Sequence, residues 1–270
     1  MASVTDQIKR IIEAKDDKVA TGAETLRALL GEVKMQIVED LATTAAGSYT
    51  AATLKAGLAS VERYLAGFET AGSAEMGTLL DTAWDAGADL VPDALRLGNI
   101  SVVFGNIPGS ILRTLKDFSF YKISGLASDT FTKIRGELTL GLLGQKTPDQ
   151  VIRAIAGTLD SPGIFPSLEA RAATIARVEM GRAYSAATAH GLREAMRSVP
   201  DIGKEWWHAG HPKMPRISHL RANGQRVKAD DRFLVGSIPM DHPRDPKAPA
   251  DEVIGCGCEM LPWHPQWASA

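Results

Sequence analysis

The amino-acid sequence predicts an α+β protein: a mainly helical N-terminal body, then a long helix, then a small, loop-rich antiparallel β module. Three observations lead there. Up to about Met196, apolar residues recur every three or four positions, the period of a helix with one buried face. Beyond residue 199 the texture changes, since nine of the fourteen prolines, five of the six histidines and four of the five tryptophans lie there. In that last stretch, short runs suited to strands alternate with Gly, Pro and Asp clusters suited to turns.

Ile8, Ile11 and Ile12 mark a first helix, and Leu26, Leu29, Leu30, Val33, Ile37 and Leu41 a second. A break is expected near Gly22, because Thr21 and Glu24 have the spacing of a capping box, in which hydroxyl and carboxylate each take one orphan amide. The pattern continues over 49–68, with Leu54, Leu58, Val61 and Leu65, and over 75–92, with Leu79, Leu80, Trp84 and Leu90. Gly98 to Gly109 interrupts it, and helix resumes near Ser110. Thr147-Pro148-Asp149-Gln150 predicts a helix to about Leu159: Thr caps, Pro needs no amide at the first position, Asp suits the positive helix end and Gln completes the box. Ser161-Pro-Gly reads as a turn, and Pro166 to Met196 as one long helix without internal proline. Strands are expected at Lys204–His208, Arg226–Lys228, Phe233–Val235 and Glu259–Leu261.

Composition narrows the function classes. The net charge is −2 at pH 7, and the last seventy residues carry nine Lys/Arg against nine Asp/Glu, so there is no cationic surplus of the kind that displaces counterions from DNA. The N-terminus turns charged before an apolar stretch of signal-peptide length develops, and Ile100 to Leu112, the most apolar region, is too short to span a bilayer. With only two cysteines, the expectation is a soluble protein in a reducing compartment, without a disulfide scaffold and without contact to a membrane.

Three constellations bear on chemistry. Cys256-Gly257-Cys258 puts two thiols on one side of an extended segment, half of a tetrahedral zinc site, which His219 with His242, or His208 with His211, would complete. Small buried thiols filling a corner, or a local disulfide, are the alternatives. His208, His211, Arg216 and His219 include the acid, base and cation that phosphodiester cleavage uses, although such residues in loops more often bind backbone carbonyls. In the long helix, Glu179 and Arg182 are three apart, where a surface pair would form on a solvated face; the alternative is that Arg177 or Glu179 packs against the C-terminal module and locks it to the helix. One tryptophan of each pair, Trp206/Trp207 and Trp263/Trp267, is expected in the core, the other being available as an interface anchor.

Taken in order, a longer series of residues resembles the phage Mu F-like head morphogenesis domain of minor head proteins in tailed bacteriophages. It opens on Arg171, Thr174, Arg177 and Glu179, and runs through Lys204, Trp206, Arg216, His219, Gly224-Gln225, Phe233 and Asp245-Pro246. It closes on Glu252-Val253-Ile254, Cys256-Gly-Cys258 and Leu261-Pro262. The chain departs from the family pattern at Val178, Gly255 and Gly257, where threonine, asparagine and arginine are usual. The resemblance implies a domain over 166–270, formed by the helix 166–197 and the module 201–270, behind a helical body over 1–165 that contacts portal or capsid. It also implies a minor head (minor capsid) protein: a structural virion component made in the host bacterial cytoplasm and located at the portal vertex or in the procapsid interior. Such a protein acts in head assembly, DNA packaging or ejection, with the portal protein, and further the major capsid and scaffolding proteins, as partners and only indirect contact with packaged DNA. The expectation is no catalytic residues and no cofactor. The alternatives are a metal- or histidine-dependent, toxin-like nuclease and a zinc-stabilised binding module with Cys256, Cys258, His219 and His242 as ligand candidates.

Overall fold

The structure is a computed structural model that describes residues 2–45, 50–102, 104, 109–160, 165–210 and 215–269. Among these, five long or medium helices precede the sheet: α1 (Val4–Ala45), α2 (Ala51–Leu97), α3 (Gly109–Leu142), α4 (Pro148–Asp160) and α5 (Leu168–Ala195). The C-terminal part holds β1 (Gly203–His208), α6 (Ile217–Ala222), β2 (Arg226–Lys228), β3 (Phe233–Val235), β4 (Ile238–Met240), α7 (Ala250–Val253) and β5 (Cys258–Trp263), closed by a 3-10 helix, Pro265–Ser269. The expected α+β class and order of parts are both observed. Among the described residues no helix is long and apolar enough to cross a membrane.

Two helix expectations are corrected. The break near Gly22 does not occur: α1 is continuous, and the Thr21 hydroxyl donates to the Asp17 carbonyl at 2.9 Å, one turn back, rather than capping a new helix. The segments 49–68 and 75–92 likewise merge in α2. Gly72, between them, is buried where an added Cβ would sit 3.4 Å from Ile123 and Phe68 and 3.5 Å from Leu26. It is a site of close helix approach. The capping box of α4 is present in both directions, Thr147 N–H donating to Gln150 Oε1 at 2.8 Å and Gln150 N–H to Thr147 Oγ1 at 3.4 Å. The start of α5 falls at Ser167, whose hydroxyl accepts the Ala170 amide at 3.1 Å. The expected turn at Ser161-Pro-Gly lies outside the described residues.

The chain forms two compact units, and this division differs from the domains 1–165 and 166–270 expected from the sequence. One comprises 22–78 and 116–176, and its regular elements among the described residues are all helices. Its core is built from spaced stripes, Leu26, Leu30, Ile37 and Leu41 on α1, Val61, Leu65 and Phe68 on α2, Ile123, Ile134 and Leu138 on α3, and Val151, Ile155 and Leu159 on α4. At its surface Lys34 reaches both Asp160 and Glu169, and Arg171 pairs with Asp129 at 3.0 Å.

The other unit comprises 1–21, 79–115 and 177–270 and contains the sheets. Here α5 is buried on nearly every side, which explains its small residues Gly181, Ala183, Ala187 and Ala189. At Gly87 on α2 the backbones approach so closely that an added Cβ would lie 2.3 Å from the Tyr184 carbonyl oxygen, and Thr188 Oγ1 donates to the Gly87 carbonyl at 3.1 Å. The main sheet is antiparallel with order β2-β1-β5, and a two-stranded sheet pairs β3 with β4. Trp206 and Trp267 are buried while Trp207 and Trp263 are partly exposed, so each pair splits as expected.

Candidate metal centre

The register between β1 and β5 pairs His208 with Cys258 and Trp206 with Met260. Residues directly opposite in an antiparallel pair project to the same face, so Cys258, His208 and Trp206 share one side of the sheet. Gly255, with φ +69°, lets the chain reverse after α7, and the Cys256 amide donates to the Val253 carbonyl at 3.2 Å, which turns Cys256 toward the same side. Helix α6 supplies His219, whose ring meets that of Trp206 edge-on at 5.6 Å; Phe233 meets Trp206 similarly at 5.3 Å.

His219, Cys256 and Cys258 thus form a group that can hold a metal ion: one ligand atom from each lies within 4.8 Å of the others, and all three residues are buried. His219 Nδ1 is 3.6 Å from Cys256 Sγ and 3.4 Å from Cys258 Sγ. Its far nitrogen, Nε2, lies 2.7 Å from Glu252 Oε2. A carboxylate only accepts, so Nε2 carries a proton and Nδ1 is turned to the sulfurs. His208 Nδ1 is 3.6 Å from Cys258 Sγ. Both cysteines are free thiols, so no local disulfide forms.

The electrostatics follow from the geometry. Burial opposes a charge on His219, but contacts with Cys256 and Glu252 outweigh it and raise the imidazole pKa. Cys256 is held well below the usual thiol range, first by the hydrogen bond from Cys258 and then, against burial, by His219 and Arg244. Cys258, which gives up that hydrogen bond and is itself buried, is pushed the other way. These opposed shifts favour the thiolate form at Cys256, the form that binds soft metals.

The opposite face of β5 carries a second buried polar cluster. Glu259 Oε1 accepts from Lys15 Nζ at 2.8 Å and from Arg244 Nη2 at 2.9 Å, with Lys15 also 2.9 Å from Asp16. Arg244, in the left-handed region at φ +63°, donates from Nε to the Cys256 carbonyl at 3.1 Å and accepts at its own carbonyl from Arg182 Nε at 3.1 Å. Arg182 and Glu179 are ion-paired and buried rather than on a solvated face, and Arg182 ties this part of α5 to the C-terminal module through the Arg244 carbonyl. Lys204, fully buried, donates to the Asp241 carbonyl at 2.7 Å and is ion-paired with its carboxylate at 2.8 Å; Arg193 pairs with the other carboxylate oxygen.

Other residues singled out in the sequence shape this frame. Gly224 has φ +80°, and its amide donates to the Trp206 carbonyl at 2.8 Å. Gln225 bridges to β3 by accepting from the Leu234 amide at 2.8 Å. Asp245 accepts from the Asp241 and Lys247 amides at 2.8 and 2.9 Å and so fixes the loop, while Pro246 is exposed. Arg216 donates to the Ile254 carbonyl at 2.6 Å. Arg171 stands apart in the all-helical unit, and Arg177 is exposed on α5. One ligand expectation is corrected: His242 is not with the thiols. It is buried, with Nδ1 2.9 Å from the Pro243 carbonyl oxygen, and burial lowers its pKa. His211 lies outside the described residues. Sequence reasoning missed Lys15, Arg244 and Glu259, whose charges gave no sign of burial; Lys204 and Glu252 were noted only as part of the ordered series, and Glu252 could have been suspected from its place before the cysteines.

Comparison of the chain with protein-family models, with curated proteins and with solved structures finds no match in any of the three.

Proposed function

We propose that this chain is a minor head protein of a tailed bacteriophage, a structural component of the virion at the portal vertex that acts in head assembly, DNA packaging or ejection. One observation carries the reading. The ordered series that resembles the Mu F-like domain folds back on itself, with Glu179, Trp206, His219, Phe233, Asp245, Cys256 and Cys258 all buried in a single unit. Residues used this way hold a scaffold together. Of the side chains named for a nuclease, Arg216 is engaged on a backbone carbonyl, His219 lies between the thiols and Glu252, and His208 sits 3.6 Å from Cys258 Sγ. The portal protein is the proposed partner. The test is copurification of the tagged chain with portal or procapsids from lysates in which heads assemble. Association with either supports the proposal, and absence from every head component while heads assemble normally would refute it.

The cluster of His219, Cys256 and Cys258 supports a second, compatible reading, that the module is stabilised by zinc. Thiolate and imidazole are the ligands of structural zinc sites, and Glu252 on the far nitrogen of His219 is the carboxylate that orients such a ligand. The metal would join the chain reversal after α7, helix α6 and strand β5. A purified protein with no bound zinc, and no gain in stability when zinc is added, would exclude it.

A further inference from the structure

The triad supplies three ligands, whereas a structural zinc site needs four. We infer that His208 is the fourth, so that the module holds a closed His2Cys2 centre formed by His208, His219, Cys256 and Cys258. The inference rests on the zinc reading above and adds to it a ligand, a coordination number and a role.

Three observations lead to His208. Its Nδ1 is already 3.6 Å from Cys258 Sγ, matching the 3.6 and 3.4 Å contacts that His219 Nδ1 makes with the two sulfurs. A tetrahedral zinc with sulfur at about 2.3 Å and nitrogen at about 2.0–2.1 Å sets neighbouring sulfur and nitrogen ligands about 3.5 Å apart. All three contacts have the length of a coordination edge. Secondly, the backbone fixes His208 in place: it is the register partner of Cys258, and its own amide donates to Asn223 Oδ1 at 2.8 Å, which ties the end of β1 to the turn after α6. Thirdly, no other histidine competes for the position among the described residues. His242 is on the Pro243 carbonyl, His264 lies tilted against Trp267 with ring centroids 5.9 Å apart, and His190 lies near Glu194 on α5.

His208 touches one thiol and not the other members of the triad, so closing the shell requires its ring to turn toward Cys256 and His219. His208 is partly exposed at the end of β1 and so is not held in the buried core. The metal then ties β1 to β5 and α6, and leaves no open position for a water or substrate. A closed shell is a structural centre and not a catalytic one.

The experiment uses the full-length, tag-free protein, titrated with Zn2+ and, for spectroscopy, Co2+. Expected are one metal per chain, thiolate-to-cobalt charge-transfer bands in the near ultraviolet, and the intense visible bands of four-coordinate cobalt. His208→Ala should weaken binding by about a hundredfold, at least as much as loss of a ligand-orienting partner. It should keep the charge-transfer bands of two thiolates and change the visible bands. His208→Cys should restore tight binding with three-thiolate charge transfer, which separates lost ligation from misfolding. His242→Ala should leave the spectrum unchanged. If His208→Ala binds with wild-type affinity and spectrum while Cys256→Ser abolishes binding, the fourth-ligand inference falls and the zinc reading stands. If the wild type binds no metal, both fall.

Discussion

Replacing Glu259 tests most directly whether the buried charges hold this unit together. Its carboxylate is 1% exposed and neutralises two cations, Lys15 at 5% and Arg244 at 8% side-chain exposure. Glu259→Gln keeps the volume and one acceptor but removes the charge. Lys15 retains Asp16 at 2.9 Å, so the guanidinium of Arg244 is left worst compensated. Removing one partner of a buried ion pair costs about 3–5 kcal/mol, because the remaining charge stays desolvated without its counter-charge. The lower end is expected for Gln and the upper for Ala, which also loses the hydrogen bonds. All five tryptophans, Trp84, Trp206, Trp207, Trp263 and Trp267, belong to this same unit, so urea unfolding followed by tryptophan fluorescence reads it without interference from the all-helical one. With a slope of about 1–3 kcal/mol per molar urea, the midpoint should fall by about 1 M or more. Lys15→Met on the Glu259→Gln background should regain part of the loss, since it removes an excess charge. A Glu259→Gln stability within about 0.5 kcal/mol of wild type, or strict additivity of the two changes, would refute the claim that these charges compensate one another.

Gly181→Ala should destabilise the same unit by about 1–3 kcal/mol despite the higher helix propensity of alanine, because the new methyl would lie 2.6 Å from Arg244 Cζ and Nε. Gly31→Ala, with nothing within 4 Å, should instead raise the thermal midpoint read by circular dichroism, gaining up to about 1 kcal/mol. Acid should weaken the module through Asp241: burial works against its ionisation, but Lys204 and then Arg193 overcome this and lower its pKa from 3.8 to about 2. A depressed carboxylate contributes stability that is complete above its unfolded value and is lost as pH falls through the folded one. About 2 kcal/mol should therefore disappear between about pH 5 and about pH 2, and Asp241→Asn should flatten that part of the urea-midpoint profile.

Elements with a local signal were legible in the sequence. The cap at Thr147 and Gln150 needs only four residues to declare itself, and the runs 204–208, 226–228, 233–235 and 259–261 within β1, β2, β3 and β5 stand out as short pieces between Gly, Pro and Asp clusters. Strand β4 was not legible, because Pro239 at its centre cannot donate to a ladder and argues against a strand; it is tolerated because β4 is one edge of a two-stranded sheet. Helices α6 and α7 are too short to show periodicity. At the site, Cys256, Cys258 and His219 were legible as ligand types, but the partner was not: His242 was offered with His219, and His208 with His211, whereas the structure brings His208 and His219 to the thiols. That choice depends on the register His208↔Cys258, a relation between residues fifty apart in the chain that no local pattern encodes. The buried charges escaped for a related reason, since alternation along β5 suggests that Glu259 faces water, whereas β5 is buried on both faces.

That double burial explains why two polar clusters occupy one strand. Cys258 and Glu259 are adjacent and so project to opposite faces, one toward His219 and His208, the other toward Lys15 and Arg244. Arg244 joins the two sides: a single guanidinium donates to the Cys256 carbonyl from Nε and to Glu259 from Nη2, while its own carbonyl is held by Arg182 of α5. The position of Cys256 is thus set partly by the ion cluster, and the left-handed backbone at Arg244 is sustained by bonds from both sides. A neutral, apolar strand could fill the same volume at lower desolvation cost. What the charges and thiols add is direction, because each bond accepts only one geometry. A module with few strands and long loops has little apolar core with which to fix its loops, and directed polar contacts supply that definition.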